Sequence, residues 1–428
     1  MTARLLRVVG LPGLTAIAVN GVIGSGIFVL PATVAALLGP ASPLAYLLAA
    51  LVAALVVACF AEAGSLFDRT GGPYLYARAA FGPFVAFQVG WTFFLSRLAA
   101  GAAIANAFAA YLGYLWPAAA RGPGRAVAIT ALLAALAAVN VAGVRYGGWV
   151  VNALTVAKLV PLLVFVAAGL FFVDPDRYAL AGLPDSSRLR QASLLLIFAF
   201  GGFENASVPG DESKDPRRHL PIALLAAIGL TAALYVLIQV VALGTLPGLA
   251  RDATPLASAA GRFLGPAGAF AIALGAVVST AGSSSALALV GPRILYALAE
   301  GGQMPAALAR VHDRHRTPHV AVVVFTLLAW AAALLGDFAR LAAVSAVARL
   351  VFSTVTCLAV PVLRRRAPRA ERRFRVPGGV LVPAAAAGLS LWLLTGMDRA
   401  QAAGGAAALV AGLFFYLAFG RVRYNRLT

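Results

Sequence analysis

Apolar runs of the length of a membrane-spanning helix recur along the whole chain. A helix needs roughly 17 to 25 mostly apolar residues to cross a bilayer, and about twelve such runs occur here between short polar or glycine-bearing connectors. The pattern predicts spans at 12–38, 43–67, 84–114, 125–142, 148–173, 191–211, 219–246, 266–299, 319–336, 341–363, 379–397 and 403–420. The first run is too long for a cleaved signal peptide, so we expect it to be the first span.

Composition and charge agree with a polytopic membrane protein. Of the 428 residues, 61% are apolar and only 11% are charged, which excludes an ordinary soluble domain. Basic residues concentrate in alternate connectors, including the run RRRAPRAERRFR from Arg364 to Arg375. By the positive-inside rule, we expect both termini in the cytoplasm and the protein in a prokaryotic-type inner membrane. The net charge of +19 then reflects topology and contact with anionic lipids, and no nucleic acid partner is expected.

The chain lacks the usual signatures of catalysis. The two cysteines, Cys59 and Cys357, lie in separate spans and form no disulfide or metal pattern. The four histidines lie in or beside connectors, and neither HExxH nor GxSxG occurs. We therefore predict no enzyme activity, no cofactor and no metal site. Because the connectors are too short to form a signalling domain, transport of a solute remains as the expected function.

Glycines interrupt the first span in the stretch NGVIGSGIFVLPA, residues 20 to 32. Broken backbone inside a membrane is tolerated only where it lines a cavity or is buried in protein. The N–H groups around Gly24, Ser25 and Gly26 would begin a second half-helix and suit a carboxylate, while carbonyls near Val22 suit an ammonium group. The alternative is that these glycines only allow close packing of helices.

A second interruption, FAFGGFENASVPGDE, lies five spans later and contains Gly201, Gly202, Glu204 and Pro209. Two broken helices in corresponding positions of two five-span halves are typical of inverted-repeat transporters. The sequence therefore predicts a binding site between the two interruptions.

Four segments carry a family resemblance. These are GVIGSGIFVLPA, the loop DRTGGPYLYARAAFG after the second span, GGFENASVPGDESKDPRRHLPIAL, and GPRILYALAEGGQMPAALARVHDRHRTPHVA. In order and spacing they resemble the amino acid/polyamine/organocation (APC) permeases. The resemblance implies an all-α membrane protein with the leucine-transporter-type fold: two inverted five-helix repeats at 1–173 and 191–363, peripheral helices at 379–420 and a cytoplasmic tail at 421–428.

One motif indicates a competing fold. The segment GSLFDRTG at 64–71 resembles a loop of major-facilitator transporters, which also have about twelve spans. The basic continuation expected there and a long central cytoplasmic loop are both missing. The APC reading is therefore favoured.

The resemblance also implies roles for single residues. In arginine/agmatine antiporters of this family, the substrate carboxylate meets the positions held here by Ser25 and Gly26, and a gating aromatic residue corresponds to Phe198. The polar and aromatic residues of their side-chain subsite correspond to Gly101 and Leu287. Arginine or agmatine is therefore not expected as substrate, and the smaller residues favour a medium or large neutral side chain.

Two basic residues lie deep within predicted spans, where an unpaired charge is costly. Arg97 shares a helix face with Gly101 and Ile104, and it could pair with an anionic substrate group, with Glu204, or in a purely structural bridge. Lys158 lies too deep in the fifth span to reach water easily. The resemblance implies that its ammonium group occupies a position where sodium-coupled relatives bind an ion.

Lys158 would there reach carbonyls near Asn20 and Gly21, and a hydroxyl such as Ser279 or Ser283. A buried lysine can exchange its proton, so proton coupling through Lys158 is a hypothesis, against a structural role.

Two carboxylates, Glu204 and Glu62, each have more than one possible role. Glu204 is either a second proton carrier or a cap for N–H groups freed by the helix break. Glu62, late in the second span, is expected to be a cytoplasmic-gate or structural carboxylate.

The predicted function is secondary active, proton-coupled transport of amino acids, with sodium coupling disfavoured. Protons and membrane lipids are the other expected partners. An exchanger or exporter of amino acids or polyamines is a close alternative, and a non-transporting amino acid sensor a more distant one. The sequence leaves the oligomeric state open.

Overall fold

A computed structural model describes residues 10–67, 72–143, 148–179, 182, 184–204, 216–366 and 374–420. These residues form helices and connecting turns, with no strand among them. The α-helices are α1 Leu11–Val22, α2 Gly26–Leu38, α3 Ser42–Gly64, α4 Gly72–Phe81, α5 Pro83–Leu115, α6 Gly122–Val141, α7 Gly148–Gly169, α8 Ser186–Ala199, α9 Pro216–Thr245, α10 Pro255–Glu300, α11 His319–Leu335, α12 Phe338–Arg366, α13 Leu381–Leu394 and α14 Arg399–Phe419.

Many of these helices have the length and apolar composition of membrane spans. Within the described residues, seven helical stretches qualify, and four shorter apolar helices accompany them. One qualifying stretch, Gly26–Gly64, contains α2 and α3 joined by a short 3₁₀ turn at Gly39–Ala41. The protein is therefore an all-helical, multi-pass membrane protein. The count of twelve spans and the inverted repeat stay predictions.

The first predicted span is broken where its glycines lie. Helix α1 ends at Val22, and α2 begins at Gly26. Ile23 between them has an extended conformation, with φ −73° and ψ 96°, so the helical hydrogen-bond ladder cannot continue through it. The predicted discontinuity of this span is confirmed.

The structure describes the second predicted break only on its N-terminal side, up to residue 204. We predicted a span at 191–211, but α8 starts earlier and ends at Ala199. Gly202 has φ +106°, a conformation that glycine adopts far more readily than other residues, and it takes the chain out of the helix. The half-helix expected to follow, up to residue 211, falls at 205–211, outside the described residues, as does the tail at 421–428.

One connector prediction needs correction. The segment after the second span, expected to be a loop, forms helix α4, with Tyr76 and Ala77 buried against the rest of the bundle. Burial of its apolar face outweighs the glycine, Gly72, at its start. The eighth span, predicted at 266–299, coincides with the part of α10 that follows a bend at Gly265, where φ is +68°. A further helical stretch, at 255–264, precedes the bend.

The long helices place the breaks at the centre of the bundle. Helix α5 packs along both α10 and α12, while α9 packs against α1 and α3. The start of α2 lies against α8. Tyr111 of α5 donates to the carbonyl of Phe28 at 2.6 Å, which fixes α2 beside the central helices. The two broken segments are therefore surrounded by α5, α7, α9, α10 and α12.

Candidate functional site

The two interruptions touch each other through their backbones. A Cβ atom added to Gly26 would lie 2.7 Å from the Cβ and 2.8 Å from the Cα of Ala199, the last residue of α8. A Cβ added to Gly202 would lie 2.1 Å from the carbonyl oxygen of Gly21. Glycine at these two positions is what allows the start of α2 and the end of α8 to meet.

The carbonyls at the end of α1 have partners other than the next helical turn. The last four carbonyls of a helix lack intrahelical donors and need another source. Lys158 of α7, which is only 4% exposed, donates from Nζ to the oxygens of Asn20 at 2.6 Å and Ile23 at 2.7 Å. The ammonium group thus lies at the break and donates to the carbonyl of Asn20, one of the acceptors expected from the sequence. The second carbonyl is that of Ile23, not of Gly21.

Tyr235 of α9 joins the two broken helices. Its buried hydroxyl lies 3.1 Å from the carbonyl oxygen of Val22, the last residue of α1, and 3.3 Å from that of Ala199. The sequence analysis missed this residue, because a tyrosine in an apolar run looks like an ordinary packing residue. The Val22 carbonyl predicted to receive an ammonium group therefore already accepts from a hydroxyl, although a carbonyl can accept a second bond.

The start of α2 remains open to a hydrogen-bonding ligand. Ser25 is the N-cap residue, yet its side chain makes no capping bond. Its hydroxyl is buried and has no hydrogen-bond partner. Ser283 of α10 lies nearby, since its Oγ is 3.5 Å from a Cβ placed on Gly24. Ser279 and Ser284 on the same helix also have buried hydroxyls without partners.

A buried ionic cluster lies beside the second break. Glu204, 6% exposed, pairs through Oε2 with Nη2 of Arg97 at 3.2 Å, and through Oε1 with Nη1 of Arg349. The same Oε2 accepts the backbone N–H of Gly202 at 2.9 Å. Of the partners considered for Arg97, the structure places Glu204 beside it. Glu204 thus accepts one N–H group freed by the break, that of Gly202; the following half-helix that it was expected to cap lies outside the described residues.

Arg349 of α12 was not singled out from the sequence. The available signal was an arginine deep in the apolar run of the tenth span, as for Arg97 and Lys158. Its guanidinium lies against the backbone at Gly201, where an added Cβ would be 2.2 Å from Cζ. The two glycines of the second break thus have separate uses: Gly201 admits Arg349, and Gly202 admits the first broken helix.

The residues expected to choose the substrate side chain are all buried. Phe198 packs edge to face against Phe338, with ring centroids 5.6 Å apart, and lies 3.3 Å from a Cβ placed on Gly26. Leu287 belongs to the same apolar cluster as Phe198. Gly101 has space around it, since an added Cβ would meet only Phe325, at 3.8 Å. The part of these residues in side-chain choice stays a prediction.

Glu62 lies in a separate network. Its carboxylate accepts from Nε and Nη2 of Arg364 at 2.7 and 2.5 Å, and from the backbone N–H of Val376 at 2.8 Å. Arg364 also donates to the carbonyl of Val376 at 3.2 Å. These bonds tie α3, α12 and the segment before α13 together, as expected for a structural or gating carboxylate.

Comparison with known proteins supports a transport function. Residues 9–419 match the amino acid permease family. The methylthioribose transporter of Bacillus subtilis is 30% identical over 397 residues, covering 89% of this chain and 86% of that protein. The serine/threonine exchanger SteT of the same organism is 29% identical, covering 91% of each chain. Its branched-chain amino acid permease BcaP is 27% identical, covering 97% and 94%.

These relatives are permeases and transporters, not enzymes. The family match spans both interruptions and every described helix. The protein is therefore a member of the amino acid permease family, within the APC superfamily.

Proposed function

We propose that this protein is a secondary active amino acid transporter that binds its substrate between the two helix breaks. The substrate carboxylate lies at the start of α2, on the N–H groups of Ser25 and Gly26. The ammonium group lies at the carbonyl ends of α1 and α8. Alternating access then moves the surrounding helices around this fixed site.

The observation that carries the proposal is the direct contact between the two breaks. Gly26 abuts Ala199, and Gly202 abuts Gly21, so the positive end of one half-helix and the negative ends of two others converge. An amino acid offers the opposite charges at one carbon. The unpartnered hydroxyl of Ser25 supplies a further hydrogen bond to a carboxylate.

Proton coupling is proposed for Lys158. Its ammonium group is buried at the α1 end, where it donates to two uncharged backbone carbonyls. Loss of its proton would remove the charge assistance from its hydrogen bonds to the Asn20 and Ile23 carbonyls, weaken them and change the end of α1, next to the substrate ammonium. Protonation and substrate binding are in this way linked through one helix terminus.

A liposome assay tests both proposals. Purified protein is reconstituted and offered a panel of labelled amino acids, with and without an imposed pH gradient. We expect uptake of at least one amino acid, competition by the free amino acid, and no competition by its N-acetyl or methyl-ester derivative. Uptake that both blocked derivatives inhibit as well as the parent amino acid would contradict binding of the zwitterion.

Exchange is a second candidate, because one relative that covers 91% of this chain is named a serine/threonine exchanger. The same liposomes distinguish the two modes. An exchanger takes up label only when unlabelled substrate is inside, whereas a proton-coupled importer also fills empty vesicles when a pH gradient is present.

A further inference from the structure

The buried cluster at the second break carries more positive than negative charge. Among the described residues, the guanidinium groups of Arg97 and Arg349 share a single carboxylate, Glu204. Arg97 is 1% exposed and Arg349 4% exposed. A net buried cation within a membrane is costly, so an arrangement with one uncompensated charge calls for a further anion.

Hydrogen-bond donors in the cluster point to the same conclusion. Nε of Arg97 and Nε of Arg349 are buried without a hydrogen-bond partner, whereas Nη2 of Arg97 is engaged in the ion pair with Glu204. One turn further along α12, the hydroxyl of Ser353 is also buried and unpartnered. Buried donors are normally satisfied, because each unsatisfied one costs about 1–3 kcal/mol. Glu204 is already occupied by both arginines and by the Gly202 N–H.

A small cavity lies beside Arg349 and Ser353. It is enclosed by α3, the end of α8 and α12, and Arg349 and Ser353 are its polar wall residues. The remaining walls are apolar side chains such as Val56 and Phe203. The cavity volume is about 10 Å³, which is room for one species about the size of a water molecule. A guanidinium and a hydroxyl on one wall suit an anion, since both donate.

We infer that this cavity binds a small anion, held by Arg349 and Ser353, which completes the charge balance of the Arg97–Glu204–Arg349 cluster. The size of the cavity favours a monatomic halide such as chloride over a carboxylate. The inference concerns a site behind the second break and does not depend on which amino acid is transported.

Thermal unfolding of the purified full-length protein tests this without any substrate. Sodium chloride or bromide is titrated against sodium gluconate at constant ionic strength. A ligand that binds only the folded state raises the unfolding midpoint in a saturable manner. We expect such a rise with both halides. No saturable rise with any anion would overturn the inference and leave a water molecule in the cavity.

Two variants localise the effect. Ser353→Ala removes one donor to the anion and should weaken the apparent affinity about tenfold. Arg349→Gln removes the uncompensated charge and should abolish the response. The matched control is Thr356→Ala on the same helix, because its buried hydroxyl is already satisfied by the carbonyl of Phe352 at 3.0 Å. If Arg349→Gln fails to fold, the comparison of Ser353→Ala with Thr356→Ala decides alone.

A further measurement distinguishes two sources of the anion: a free halide ion and the carboxylate of a substrate. In chloride-free buffer, glutamate and aspartate are compared with alanine. A midpoint rise with halide alone supports the free-ion site. A rise with the dicarboxylic amino acids only, lost in Ser353→Ala, would overturn the halide and assign the donors to a substrate carboxylate. A halide response equal in Ser353→Ala and the parent would place the anion elsewhere and refute the site.

Discussion

Replacement of Gly26 by alanine tests the contact between the two breaks. The added methyl group would lie 2.7 Å from Cβ and 2.8 Å from Cα of Ala199. Ordinary carbon contacts are about 3.5–4.0 Å, so α2 and α8 must separate by about 1 Å at the site. Neither neighbouring atom can rotate away, since both are fixed to the backbone of α8.

The size of the effect follows from this strain. Overpacking of this kind costs about 1–3 kcal/mol. If the strain is relieved by moving the breaks apart, the free energy of substrate binding becomes less favourable by the same amount. This corresponds to a decrease in affinity of about 5- to 150-fold. We expect the Gly26→Ala variant to transport in liposomes with a strongly raised KM.

The matched control is Gly229→Ala in α9, where an added Cβ meets nothing within 4 Å. Alanine in a helix interior is more favourable than glycine by about 0.5–1 kcal/mol, so this variant should be at least as stable as the parent and transport normally. Transport by Gly26→Ala that matches both parent and control in KM and maximal rate would refute the contact between the breaks as the basis of binding.

Three further substitutions test the surrounding residues. Lys158→Ala should slow transport and remove its dependence on the pH gradient; a variant with the parent's rate and pH profile would rule out the coupling role. Tyr235→Phe removes the hydroxyl between Val22 and Ala199 and should raise KM about 2- to 12-fold, since a hydrogen bond contributes about 0.5–1.5 kcal/mol; an unchanged KM would contradict its positioning role. Glu62→Gln leaves the Arg364 guanidinium without its carboxylate and should lower the unfolding midpoint, because breaking a fully buried pair costs about 3–5 kcal/mol of stability. Adding Arg364→Gln should recover part of that stability. A double variant that loses stability additively would contradict the pairing.

The breaks could be predicted because glycine leaves a direct mark in a sequence. The helix is interrupted at 23–25 although the apolar run of the first span continues through these residues. The separation of this span into α1 and α2 could therefore be predicted from its glycines. Depth within a span likewise marked Lys158 and Arg97 as residues that need partners. The acceptor at Asn20 followed from the family resemblance, and Glu204 was one of three partners considered for Arg97.

The remaining site residues depend on packing between distant helices. Tyr235 and Arg349 reach the breaks from α9 and α12, and no local pattern indicates which face of those helices turns inward. Helix α4 was missed for a related reason, because its short, glycine-led sequence becomes helical through burial against α5 and α12. The helical stretch at 255–264, before the bend at Gly265, was also not predicted.

The most direct test of the central claim is an experimental density map of the protein with its transported amino acid bound. The account predicts the carboxylate within about 3 Å of the N–H groups of Ser25 and Gly26, and the ammonium group at the carbonyl ends of α1 and α8. A substrate bound away from both helix breaks, or one whose charged groups contact only side chains, would contradict it.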